Sequence, residues 1–231
     1  SKREIENLRN HLLRLQYTSV HPFNGASPGG WGWTSYSGSV PDADDTPGAI
    51  LALLMLFSGE KAEVIAIENG CRWLTGLQNS DGGFPTFCRG WGKLPFDRSC
   101  ADLTGHALLA LLKSVEMLHD KMDKKLLAEI DRSISKAMLY LEKHQSGDGS
   151  WLPLWFGNQL TDDKTNPVYG TAKVCIYLKD TFGLEGPGKK YLNRIEEMVR
   201  KAEEFLLEQQ NNDGSWGGKK GIEASIEETS L

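Results

Sequence analysis

Three carboxylic acids fall within four residues at Asp42-Ala43-Asp44-Asp45. Crowded carboxyls disfavour one another's charge, and burial adds to the effect, so their pKa values rise. A carboxyl that keeps its proton at neutral pH can act as a general acid. The same acids directly precede a helix-patterned run, where Asp commonly caps the first turn and complements the helix dipole. Asp102 and His106 form a second group, four residues apart on a helix-patterned stretch, so both side chains share a face. There the carboxylate can orient the imidazole, although a single His in such a stretch is more often a satisfied core residue.

The elements that must position these groups form a repeat. The phrases Gln78-Asn-Ser-Asp-Gly-Gly-Phe84, Gln145-Ser-Gly-Asp-Gly-Ser-Trp151 and Gln210-Asn-Asn-Asp-Gly-Ser-Trp216 recur at intervals of 67 and 65 residues. A looser copy begins at Gln16 and ends at Gly30-Trp31. Asp-Gly permits a tight reversal, the aromatic covers it, and the Gln amide can bond exposed helix-end groups. Each of the three closes a stretch with apolar residues at steps of three and four: Glu63–Gln78, Lys124–Gln145 and Arg194–Gln210. After a loop comes a second helical stretch, Thr46–Phe57, Asp102–Leu118 or Tyr169–Lys179, and the last two are Ala- and Leu-rich as in buried helices. Ser225 and Glu228 form a capping-box pattern that opens one more such helix. No stretch alternates like a strand. The unit is a helix pair, and stacked pairs predict an all-α, incomplete α/α toroid.

Taken together, these features resemble the squalene–hopene and oxidosqualene cyclases, that is, class II terpene cyclases. The repeats are similar to that family's Gln-Trp motifs over nearly the whole chain. Gly29-Gly30-Trp31-Gly32-Trp33 followed by Pro41-Asp42-Ala43-Asp44-Asp45-Thr46 resembles its Asp-x-Asp-Asp-Thr acid motif and the segment before it. Asp102-Leu-Thr-Gly-His106, Trp151-Leu-Pro-Leu-Trp155 and Val168-Tyr169-Gly170-Thr171 follow in the family's order.

The resemblance implies roles for particular residues. Asp44 becomes the acid that protonates a terminal alkene of a linear isoprenoid, with Asp42 and Asp45 as supporting carboxylates. His106 becomes its hydrogen-bond partner and Tyr169 part of the proton relay. Trp33, Phe87 and Trp155 become aromatic walls around the acid and the early cation. The chemistry is coherent: an alkene is a poor base, and a carbocation needs aromatic faces rather than water. The implied product is a hopanoid-type polycycle, formed with no metal or organic cofactor. Such cyclases are longer, with two helical domains, so residues 1–231 read as one acid-bearing domain of a longer chain that lacks its second helical domain. The nine residues 158–166 read as an insertion, Asp162-Asp163 and 183–190 as solvated loops, and Trp151 and Trp216 as structural repeat residues.

The composition narrows the remaining classes. The net charge of -5 and absence of a basic stripe argue against nucleic acid as the partner. Cys71, Cys88, Cys100 and Cys175 show no paired spacing, which suggests free thiols in a reducing compartment. No signal-peptide run or membrane-span length of apolar residues is present, so the expected location is cytoplasmic, with one-sided membrane attachment allowed by an apolar substrate.

Three rival readings are distinguishable. A protein prenyltransferase β-subunit would build a zinc site, for which Asp97, Cys100 and His106 are the available groups, although Cys100-Ala-Asp102 reverses that family's Asp-x-Cys order. A helical-barrel glycoside hydrolase would use Asp pairs and Trp platforms but leaves the histidine without a role. A catalytically silent repeat scaffold would leave Asp44 exposed to solvent rather than at the end of a dry apolar cavity.

Overall fold

The four glutamine amides close their turns in one way. Gln16 Nε2 donates to Gly29 O and Ala66 O, both at 2.8 Å. Gln78 Nε2 donates to Gly82 O (2.8 Å) and Ser133 O (2.9 Å), and Gln145 Nε2 to Gly149 O and Met198 O (both 2.9 Å). Gln210 keeps only the local bond, to Gly214 O at 2.8 Å. Each of the first three therefore ties a turn to a backbone carbonyl of the next helix pair. The turn glycines take positive φ (94° at Gly82, 92° at Gly149), and a Cβ at Gly149 would lie 2.2 Å from Lys201 O. Glycine is required there for both reasons.

These turns connect two layers in the computed structural model, which describes residues 1–36, 38–90 and 94–231. The outer layer holds α1 (Lys2–Leu15), α3 (Lys61–Leu77), α5 (Lys124–His144) and α7 (Leu192–Gln209). The inner layer holds α2 (Asp45–Met55), α4 (Ala101–Leu118), α6 (Pro167–Lys179) and the short α8 (Ile226–Ser230). Successive inner helices pack on one another, α2 on α4, α4 on α6 and α6 on α8, and each of α3, α5 and α7 packs on the inner helix before it. The result is an arc of an α/α toroid. Of the 18 residues of α4, 14 are buried, whereas none of α1 is.

A second repeated bond links each turn to the helix that follows. The backbone N–H of the turn aromatic donates to a threonine hydroxyl near the start of the next inner helix: Trp31 to Thr46 (2.9 Å), Phe84 to Thr104 (3.0 Å), Trp151 to Thr171 (2.9 Å) and Trp216 to Thr229 (3.1 Å). The indoles of Trp31, Trp151 and Trp216 donate back to Leu12 O, Leu141 O and Leu206 O of the preceding helix. Trp151 and Trp216 are thus structural residues of the repeat.

The structure departs from expectation in four places. Phe84–Pro85 pairs antiparallel with Ser99–Cys100 as a two-residue ladder, where no strand was expected, because the loop folds back beside its own turn on the way to α4. Residues 183–190, expected as loop, overlap a 3-10 helix at Pro187–Tyr191. Only half of the capping box at α8 forms: Glu228 N donates to Ser225 Oγ (3.1 Å), but the Glu228 carboxylate accepts from Asn158 Nδ2 (3.0 Å) and Asn166 Nδ2 (2.8 Å). The two ends of the 158–166 insertion therefore hold α8 in place. Helix α1, not marked by the repeat analysis, starts in a capping box between Ser1 and Glu4. Among the described residues no helix is long and apolar enough to cross a membrane.

Candidate acid site at the inner helix N-termini

The acid segment is built onto the N-terminus of α2. Gly30 lies so close to Pro41 and Trp73 that a Cβ there would be 2.8 Å and 2.9 Å from them, which brings the 29–33 segment against the acids. Asp42 N donates to Trp31 O at 3.0 Å. The Asp42 carboxylate then accepts from Asp44 N (2.8 Å) and Asp45 N (2.7 Å) through Oδ1. The capping role is thereby Asp42's, and Asp44 is left free of the backbone.

The two acids have opposite electrostatics. Asp42 is 2% exposed, and burial first, with the neighbouring Asp45 carboxyl next, pushes it up to about 9. It keeps its proton at neutral pH. The Asp44 side chain is 64% exposed, and His106 Nδ1 meets its Oδ1 at 2.8 Å. That hydrogen bond, against some opposing desolvation, holds the Asp44 carboxyl below the usual carboxylate range; the charges of His106 and Lys173 add to it. The expectation that crowding protonates Asp44 itself is met instead at Asp42, because the His106 hydrogen bond favours the Asp44 charge whereas burial disfavours that of Asp42.

His106 comes from α4 and reaches α2 across 62 residues of sequence. Asp102 does not orient it. Its Oδ1 accepts from the Cys100 thiol, and Cys100 Sγ accepts from Leu154 N at 3.3 Å. Asp102 is 5% exposed and faces the interior, so the shared-face argument from spacing gives way to the nearer buried thiol. The ring beside His106 is Tyr177 of α6, parallel to within 5° at 4.5 Å between centroids.

The expected aromatic positions do converge. Trp33 meets Phe87 at 6.0 Å, Phe87 meets Phe96 at 5.0 Å, and Phe96 meets Trp155 at 4.7 Å. The Trp155 indole also donates to Thr86 Oγ1. Trp33 and Trp155 remain 53% and 37% exposed, so the row lines an open face. Phe96 completes the row and was not marked by the sequence, since it sits in a short 3-10 helix, Pro95–Asp97, with no repeat signature. Tyr169 is buried at the start of α6 and packs on Phe156 at 4.6 Å. Burial pushes its phenol up to about 12, with Asp102 as the next cause. No hydrogen bond joins Tyr169 to His106 or Asp44 among the described residues.

Asp97, Cys100 and His106 do not meet as a zinc set. Cys100 is committed to Asp102 and His106 to Asp44, and among the described residues no three His, Cys, Asp or Glu side chains gather in ligating geometry. All four cysteines are buried, and none forms a disulfide among the described residues. A cavity of about 400 Å³ lies elsewhere, beside α3, lined by residues that include Asn24, Arg72, Trp73 and Cys88.

Comparison with known proteins identifies the family and the fold. Residues 21–228 match the family described as "Squalene-hopene cyclase C-terminal domain". A squalene hopane cyclase of Aspergillus fumigatus is 28% identical over 221 residues, covering 82% of this chain and 28% of its own length. A squalene–hopene cyclase of Bradyrhizobium diazoefficiens is 27% identical over 82% of this chain and 27% of its own length. That of Alicyclobacillus acidocaldarius is 29% identical over 66% and 23%. The chain thus spans roughly a quarter of the length of these curated relatives. Among solved structures, a family 10 polysaccharide lyase from Cellvibrio cellulosa aligns with a TM-score of 0.56 over 86% of this chain and 68% of its own, at 16% identity, which supports the toroidal helical fold alone. The chain belongs to the squalene-hopene cyclase C-terminal domain family.

Proposed function

We propose that this chain is the acid-bearing domain of a class II terpene cyclase, and that it starts cyclisation of a linear, squalene-like polyprenoid by protonating a terminal alkene. The observation that carries the reading is the Asp44–His106 pair at 2.8 Å between α2 and α4; the row Trp33, Phe87, Phe96 and Trp155 supplies the aromatic faces that the same chemistry calls for. Asp44 gives its proton to the alkene carbon, and the His106 N–H stabilises the carboxylate that forms. Asp42 holds the acid loop in place, and Asp45 helps keep Asp42 protonated. The aromatic faces receive the cation, each contact contributing about 0.5–2 kcal/mol.

In the open face Asp44 is a carboxylate, so the reading requires water to be excluded before the acid can work. Hydrocarbon substrate, together with a second helical domain in the longer protein, supplies that covering. Desolvation then penalises the charged form of Asp44 and returns it to the acid form. Tyr169 in a proton relay, a hopanoid-type product and delivery of substrate from one side of a membrane belong to the same proposal. The reaction calls for no metal or organic cofactor.

The 64% exposure of Asp44 favours a second reading, a catalytically silent helical-repeat scaffold. Incubating the natural protein that contains this chain with squalene in detergent, beside Asp44→Asn, separates the two by mass spectrometry. Cyclised product from the parent and none from the variant supports the cyclase. Intact squalene in both supports the scaffold.

A further inference from the structure

The imidazole of His106 needs something to hold its plane. One bond, to Asp44 Oδ1, fixes the direction of Nδ1 but leaves the ring free to swing about χ2. The carboxylate that spacing offered for this task, Asp102, is turned away to the Cys100 thiol. Through Cys100 it reaches Leu154 N, so it steadies the segment that carries Trp155.

The groups that face His106 come from three inner helices. From α2 come Asp44 and Gly48, where an added Cβ would lie 3.7 Å from His106 Cε1. From α4 itself the nearest charged residue in sequence is Asp102, already engaged. From α6 come Tyr177 and Lys173, with Lys173 Nζ 5.2 Å from the centre of the Tyr177 ring. Tyr177 also packs over Gly105, the residue before His106: a Cβ there would stand 3.4 Å from Tyr177 Cδ2 and 3.5 Å from its Cβ, in ordinary contact. The α4 backbone and the imidazole thus meet the same face of α6.

Resting on the reading of Asp44 and His106 as the acid pair, we propose that Tyr177 is the positioning residue of this site, its ring holding the His106 imidazole in the plane in which Nδ1 meets Asp44. A stacked ring 5° from parallel restricts tilt, which a hydrogen bond at one edge of the imidazole does not. The phenol hydroxyl plays no part in this contact, so the role belongs to the flat face and not to proton transfer. Lys173, four residues earlier on α6, keeps its charge at the Tyr177 ring and within electrostatic reach of Asp44.

The test uses the natural protein labelled with 15N-histidine, with the His106 resonance identified by its loss in His106→Gln. At a pH high enough to make the imidazole neutral, the parent is expected to carry its ring proton on His106 Nδ1, with His106 ring protons shifted upfield by the neighbouring aromatic. Tyr177→Phe should keep both signatures and parent-like product formation. Tyr177→Met keeps apolar bulk but no flat face; it should show mixed tautomers, with turnover of squalene lowered about 10- to 100-fold at unchanged KM. Asp102→Asn should leave the tautomer untouched. Retention of the Nδ1 signature in Tyr177→Met, or its loss in Asp102→Asn alone, would overturn the proposal. So would a parent His106 without the upfield shift, which decides the matter even where Tyr177→Met fails to fold. If the parent makes no product, the cyclase reading fails while the tautomer measurement still decides the role of Tyr177.

Discussion

His106 Nδ1 lies 2.8 Å from Asp44 Oδ1, joining the second turn of α4 to the entry of α2. The bond is made on an open face, with the Asp44 side chain 64% exposed and the His106 side chain 12% exposed. It is also the largest cause holding Asp44 below its ordinary carboxylate range.

His106→Ala should therefore move the Asp44 titration upward, read by 13C NMR of the carboxyl. Turnover of squalene by the natural protein should fall about 10²- to 10³-fold, as expected for loss of a donor that stabilises charge formed in the transition state. An unchanged Asp44 midpoint would show that the contact does not persist in solution.

Asp42 predicts a pH dependence of stability of opposite sign to that of most acids. Its folded-state pKa, about 9, lies above the ordinary value of about 3.9 in the unfolded chain. Across that window the native state holds a proton that the unfolded state has lost, so stability falls as pH rises from about 4 towards about 9. Asp42→Asn keeps the Oδ1 acceptor for Asp44 N and Asp45 N but has no proton to lose. Thermal melts over this range should show a flatter decline in Tm for the variant. Parallel profiles would mean that Asp42 is ionised in the folded protein.

The glutamine bridges predict graded effects. Gln145→Ala removes the tie between Gly149 O and Met198 O and should cost about 1–3 kcal/mol, since buried acceptors lose their donor. Gln210→Ala removes one solvent-exposed bond and should cost less than about 1 kcal/mol. Denaturant melts compare them directly. Equal losses would show that the second acceptor contributes nothing.

The repeat was legible because its parts are neighbours in the chain. Asp-Gly sets the reversal, the aromatic follows two residues later, and the Gln amide reaches a carbonyl four residues away at Gly82, Gly149 and Gly214. The inner helices Thr46–Phe57, Asp102–Leu118 and Tyr169–Lys179 were found to within two residues at each end for the same reason. The threonine bonds escaped notice, since 20 residues separate Phe84 from Thr104 and Trp151 from Thr171, and only 13 separate Trp216 from Thr229. A partner at variable spacing leaves no periodic trace.

By itself, the sequence determined the helices of the repeat from α2 onward, the acid segment and three of the four aromatics in the row, because turn chemistry and hydrophobic period act between residues close in the chain. Tertiary structure decided which acid is protonated, burying Asp42, whose N–H donates to Trp31 O, and setting Asp44 against His106. It also decided that Asp102 turns to Cys100 rather than to His106, and that Tyr177 takes up the imidazole face. Spacing says which side chains share a helix face. Which neighbour each one meets depends on the next helix in the layer, and that is set only when α2, α4 and α6 pack together.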